Sequence, residues 1–142
     1  MSNRTKLHVH DETIMDMLFE LAKSGERAAN AKIASAIVLK KRVISIGKNS
    51  MKTHPFQKKY SKHEGSICIH AENDAIMKAL RIIGVEDLKR SVLYVSRAKK
   101  ESPKGKYILG NSKPCSGCSS AIAAFGIKKV VYVNEEGDFE CL

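Results

Sequence analysis

Two short motifs constrain this chain more than any other feature. His70-Ala71-Glu72 opens a segment of helical apolar spacing that runs to Ile83, and Pro114-Cys115-Ser116-Gly117-Cys118 opens a second, small and apolar, that runs to Phe125. Both read as helices. The first carries Glu72, Ala75, Ile76, Ala79 and Ile83 along one stripe, with Gly84 placed as a left-handed C-terminal cap, and the second is closed by Gly126. Cys115 and Cys118 stand at i and i+3, which puts both sulfurs on one side of a helical turn. His70, Cys115 and Cys118 thus fall at the N-terminal ends of two helices, where free amides and the positive dipole end favour a thiolate. Pro114 suits a helix start, where no amide donor is needed. One imidazole and two thiolates leave a tetrahedral Zn2+ with one vacant position, the arrangement of catalytic zinc, whereas structural zinc takes a fourth protein ligand. Water in that position would have its pKa lowered towards neutrality, and Glu72 is placed to carry its proton to a substrate nitrogen without ligating the metal.

The competing reading is a structural zinc completed by Cys68 or Cys141, or a set of buried thiols with no metal; either leaves Glu72 without a task. His8 and His10 also have ligand spacing, but a His-x-His pair near a terminus is ordinarily solvated. Four cysteines in 142 residues are too few for a disulfide-dense scaffold.

The rest of the chain supplies the elements around the motifs. Ile14, Leu18, Leu21 and Ala22 recur at helical spacing from Asp11, a candidate cap, through about Ala29. Ile33 to Leu39 and Val43 to Ile46 read as two strands joined by a Lys40-Lys41-Arg42 turn, and Ser91 to Ser96 and Ile127 to Val133 as two more. A fifth strand can come only from Asp138 to Leu142. This order implies an α/β fold, an α/β/α sandwich with a mixed sheet of four to five strands covered by helices. The later strand-helix-strand unit is expected to be parallel and right-handed. No repeat or linker divides the chain, so residues 1–142 are read as a single domain.

The formal net charge is +10. Lys48 to His63 carries five basic residues and no acid, and Arg97 to Lys113 six basic residues and Glu101, so two basic loops hold the whole excess. Both adjoin the motif-bearing segments, and the second is expected to be irregular apart from a short hairpin. An excess placed there points to a phosphate-bearing nucleotide substrate, gripped by groups such as Lys52 and His54, or to single-stranded nucleic acid, with Phe56 and Tyr60 as stacking candidates. The polar N-terminus shows no signal-peptide pattern and no segment is long and apolar enough to span a membrane, so a cytoplasmic protein is expected.

H-x-E followed by P-C-x-x-C is the signature of zinc nucleobase deaminases, and it is complete in HAE and PCSGC. Over most of its length the chain resembles the cytidine and deoxycytidylate deaminase superfamily, which includes tRNA adenosine deaminases and polynucleotide cytosine deaminases. The resemblance implies hydrolytic deamination of a cytosine nucleoside or nucleotide, a deoxycytidylate-like substrate being favoured; His as first ligand looks more like the deoxycytidylate, tRNA and polynucleotide branches than the free-cytidine branch. Hydroxide would add to C4 while Glu72 protonates N3 and then the departing amine. It further implies that Asn49 contacts substrate, that the Ala71 backbone orients the pyrimidine, that Ser112 to Pro114 lies near the exocyclic amine, and that the chain self-associates as a homo-oligomer. The alternatives are a polynucleotide cytosine or adenine deaminase acting on single-stranded DNA or RNA, including tRNA, and an inactive zinc-stabilised nucleotide- or nucleic-acid-binding module.

Overall fold

A computed structural model describes residues 9–24, 32–50 and 70–141. Its elements, in chain order, are α1 (Val9–Ser24), β1 (Lys32–Leu39), β2 (Arg42–Lys48), α2 (Ala71–Ala79), α3 (Val85–Lys89), β3 (Val92–Lys100), β4 (Tyr107–Gly110), α4 (Ser116–Ala124), β5 (Lys129–Val133) and β6 (Phe139–Cys141). No helix among the described residues is long and apolar enough to cross a membrane.

One mixed sheet runs β2-β1-β3-β5-β6, with β4 paired to β3. β3 is its spine. Along one edge it pairs antiparallel with β1, Lys32 opposite Ala98 through Val38 opposite Val92. Its other edge is shared, the first half taken by β5 in parallel and the last four residues by β4 in antiparallel. The expected sandwich is present, with one strand more than the four to five anticipated. The extra strand comes from the second basic loop, where β3 continues to Lys100 and turns back through 101–106 into β4. The poor terminal segment does supply an edge strand, β6, antiparallel to β5.

Strand alternation sorts the core into two layers. Ala34, Ala36, Val38, Tyr94, Ala98, Val131 and Val133 face α1, which buries Ile14, Met15, Leu18 and Ala22 against them. Ile37, Leu93, Val95 and Val130 face the other way, onto α2, α3 and α4. Asp11 is not a terminal cap. It lies within α1, almost fully buried, and accepts a short hydrogen bond from the Tyr94 hydroxyl across the α1 layer.

Three turns depart from or refine the expectations. Lys40 and Lys41 join β1 to β2 with φ of 51° and 65°, the two-residue geometry that Asn-Gly normally supplies. Gly84 is not a left-handed cap. α2 stops at Ala79, the chain turns through 80–83, and Gly84 is extended (φ −81°, ψ 172°) as the N-cap of α3. Gly126 does take the left-handed cap (φ 74°), with Ile127 N–H donating to Ile122 O and Gly126 N–H to Ala123 O, so that α4 ends in a paired Schellman turn.

The close fit of α2 to the sheet sets the position of everything at its N-terminus. Its buried stripe is Ala71, Ala75 and Ala79, and the strands beneath offer side chains just as small. Ser35 Oγ donates to Ala71 O at 2.6 Å and Ser45 Oγ to Ala75 O at 2.7 Å. Gly47, opposite Ser35, has no room for a side chain: a Cβ there would stand 2.2 Å from Ala71 O and 2.4 Å from Ala75 N. The Lys48 N–H then donates to Asp74 Oδ2 at 3.0 Å. Gly47→Ala must push the first turn of α2 off β2. Overpacking of this kind costs about 1–3 kcal/mol, and a clash with backbone rather than a mobile side chain belongs at the upper end. The expected result in urea unfolding is a midpoint lowered accordingly, with zinc retention reduced in the same variant.

Candidate metal centre

His70 and Cys115 occupy equivalent places. Each is the N-cap of its helix, His70 of α2 (φ −88°, ψ 153°) and Cys115 of α4 (φ −70°, ψ 173°). The two helices pack side by side, so their first turns converge. Pro114 stands one residue outside the cap. Ser112 anchors the approach to it: its hydroxyl donates to Val95 O at 2.7 Å and accepts from Val133 N–H at 2.8 Å, bridging β3 and β5.

At this junction His70 Nδ1 lies 3.4 Å from Cys115 Sγ and 3.3 Å from Cys118 Sγ, and the three ligand atoms fall within 4.8 Å of one another. Tetrahedral zinc with Zn–N of about 2.0–2.1 Å and Zn–S of about 2.3 Å would set nitrogen and sulfur roughly 3.5 Å apart. The donor set therefore fits Zn2+ in both chemistry and spacing. Among the described residues no other group of three such ligands occurs. Cys141 cannot complete this set, because it packs with the α1-side layer on the opposite face of the sheet. Cys68, Lys52, His54, Phe56 and Tyr60 lie outside the described residues.

The electrostatics favour a cation. Cys115 Sγ accepts the Cys118 N–H at 3.5 Å, so the thiolate caps its own helix. Hydrogen bonding from Cys118, aided by His70 and opposed by burial, pulls the Cys115 thiol down to about 3. Cys118 moves the opposite way, pushed far up by its bond to the Cys115 thiolate, by burial and by the nearby Glu72. A bound zinc would require both sulfurs as thiolates. Burial likewise raises the Glu72 carboxyl above the ordinary carboxylate range, against the pull of its own backbone amide and of His70. Glu72 is 4% exposed and its Oε1 has no hydrogen-bond partner among the described residues. Glu72 is thus an acidic group held dry beside two sulfurs and an imidazole.

Asn49 and Ala71, the other expected substrate contacts, border the same junction. Asn49 is buried, its Oδ1 accepting from Ile33 N–H at 3.0 Å while its own N–H donates to Ile33 O at 3.3 Å. The Ala71 carbonyl is taken by Ser35, whereas its N–H belongs to the first helical residue and has no intrahelical partner. Motif reading did not single out Ser35, Ser45 or Asp74, and it named Ser112 only as part of the stretch near the exocyclic amine. Their only sequence trace is a small polar residue inside an apolar strand or helix stripe.

A family model described as the cytidine and deoxycytidylate deaminase zinc-binding region matches residues 8–134. Among solved structures, dCMP deaminase of the cyanophage S-TIM5 in apo form is 24% identical, with 88% of this chain and 82% of that one covered and a TM-score of 0.57. Cytidine deaminase of Burkholderia pseudomallei is 20% identical over 89% of this chain and 90% of that one, with a TM-score of 0.55. The diaminohydroxyphosphoribosylaminopyrimidine deaminase/5-amino-6-(5-phosphoribosylamino)uracil reductase of Thermotoga maritima is 28% identical over 87% of this chain but 29% of that one, with a TM-score of 0.51. No curated protein matches the chain.

Because both sulfurs and a neutral imidazole are needed, zinc uptake must release protons, and affinity must fall as pH is lowered through neutrality. Chelator competition checks this directly. In the same assay Cys118→Ser should weaken zinc binding by more than about 100-fold, given that even outer-sphere partners contribute about 10–100-fold.

Proposed function

The chain belongs to the zinc-binding cytidine and deoxycytidylate deaminase superfamily, whose model matches residues 8–134, and on that premise we propose that it deaminates a phosphate-bearing cytosine nucleotide, deoxycytidylate-like, with Glu72 as proton carrier. The zinc-dependent deaminase activity follows from the family and from the ligand triad. Zinc at His70, Cys115 and Cys118 supplies Lewis-acid activation of water at neutral pH.

The observation that carries the assignment of Glu72 is its buried Oε1, without a hydrogen-bond partner among the described residues, two residues from His70. In this reading Oε1 accepts a proton from the attacking water and passes it to N3 of the base. The C4–O bond forms in this addition; the same carboxyl then takes the remaining proton from the added hydroxyl, which becomes the carbonyl, and delivers it to the exocyclic amine, so that the C4–N bond breaks and ammonia leaves. Burial, which raises the carboxyl, suits a group that must both take and return a proton. The Ala71 N–H and Asn49 are proposed to orient the pyrimidine and its sugar from the end of α2 and the end of β2. The preference for phosphate rests on charge: the basic segments 48–63 and 97–113 adjoin in sequence the segments that carry Asn49 and the two cysteines. A polynucleotide substrate is the second reading, favoured by the same segments. It requires that affinity for a cytosine-containing single strand fall steeply with salt.

Glu72→Gln is isosteric and should keep zinc while lowering kcat by about 10²–10⁴-fold. Zinc content measured alongside ammonia release from dCMP checks both halves. Turnover retained in a zinc-replete Glu72→Gln chain would overturn the assignment.

A further inference from the structure

One cation of the β3–β4 hairpin stands apart from the rest. Arg97 pairs with Ile33 of β1 on one side and with Gly110 of β4 on the other. A Cβ on Gly110 would meet Arg97 Cδ at 3.2 Å, so the glycine leaves the space in which the arginine stem lies. By strand alternation Arg97 shares the sheet face of Leu93 and Val95, the face covered by α2 and α4. It sits one step, about 7 Å, beyond Val95. Val95 is the level of the metal centre: it is opposite Ser35, which holds Ala71, and its carbonyl receives Ser112. Arg97 is therefore the first charged side chain along β3 on that face past the ligand-bearing helix ends. It also borders, at the end of the sheet, a cavity of about 650 Å³ that Lys32, Lys100 and Tyr107 line from the α1 side and to which the hairpin adds Lys99 and the acid Glu101.

Two of these neighbours are already engaged. Lys32 Nζ donates to Lys23 O at 3.0 Å and lies 5.1 Å from the Tyr107 ring centroid, and Lys100 Nζ lies 5.4 Å from the same ring. Arg97 differs: its Nε is buried with no hydrogen-bond partner, and no carboxylate among the described residues pairs with it. Arg97 is half-buried, and a buried Nε–H without an acceptor among the described residues is answered by an anion that meets the planar fork, whose donors match the oxygens of a phosphate.

We propose that Arg97 is the phosphate anchor of the substrate, gripping the phosphate attached to the nucleoside whose base reaches His70, Cys115 and Cys118. This rests on the phosphate-bearing reading of the function above. The phosphate can come from a mononucleotide or from a strand, and the arms of the test separate the two.

The experiment measures steady-state deamination of dCMP, deoxycytidine and a short deoxycytidine oligonucleotide by the zinc-loaded full chain, for wild type, Arg97→Gln and Arg97→Lys. Equilibrium binding of the same three ligands gives the comparison independently of turnover. The expected result is that Arg97→Gln lowers the preference for dCMP over deoxycytidine, as the ratio of kcat/KM values, by about tenfold or more. The loss should appear in KM rather than kcat, with Arg97→Lys intermediate and zinc content equal in all three proteins. If the phosphate belongs to a strand, the oligonucleotide loses affinity and dCMP does not. A wild-type preference for phosphate that survives Arg97→Gln in both phosphate ligands overturns the anchor alone. A wild type without that preference overturns the phosphate reading and the anchor together, and shows it before any variant is compared.

Discussion

The packing of the first turn of α2 onto β1 and β2 is the contact on which the site depends. It is made almost without side chains: an alanine stripe lies on Ser35, Ser45 and Gly47, and the two serine hydroxyls bond helix carbonyls at 2.6 and 2.7 Å. Such closeness exchanges bulk apolar burial for a fixed position, since a helix resting on hydrogens and hydroxyls cannot slide without breaking polar contacts that are buried. Fixing α2 fixes His70 at its cap. Ser112 does the corresponding work for α4, tying the residues before Cys115 to β3 and β5. The metal centre is thus held from both sides by the sheet, and its geometry is a property of the fold rather than of flexible ligands.

The same arrangement explains the charge states. Two helix N-termini converge, and each offers unsatisfied amides to whatever anion stands at its cap. Cys115 takes that role as a thiolate, leaving Cys118 and Glu72 in a dry, negative neighbourhood that raises both. A site built this way is electrostatically unfinished without a divalent cation. Binding one relieves the repulsion between sulfur and carboxyl, and does so beside a carboxyl oxygen that has no other partner among the described residues.

How much of this was legible beforehand follows from range in sequence. The ligand triad and Glu72 could be read because their relation is local, i to i+3 on one helix and i to i+2 on another, and the α/β sandwich because long periodic segments state their own type. What was missed depends on pairing between distant segments. The end of β3 is Arg97-Ala98-Lys99-Lys100 and β4 the four residues Tyr107–Gly110, too short and too charged to show more than a short hairpin until their mutual register, Lys100 opposite Tyr107, joins them to the sheet. Gly84 was read as the end of one helix and proved to begin another, since a glycine after an apolar stripe fits either position. Asp11 looked like a cap because acids favour helix starts, and its partner Tyr94 lies 83 residues away. Arg97 was counted with the other cations of a basic loop. The burial of its Nε, and the lack of an ion pair to it among the described residues, belong to tertiary structure alone.

The central claim is that three protein ligands hold a catalytic zinc between two helix ends. Zinc K-edge X-ray absorption of the zinc-loaded chain tests it most directly. The account predicts two sulfurs at about 2.3 Å and two light atoms, one of them the His70 nitrogen, at about 2.0–2.1 Å. A shell of three or four sulfurs would mean that a further cysteine closes the site and that the metal is structural, contradicting the account.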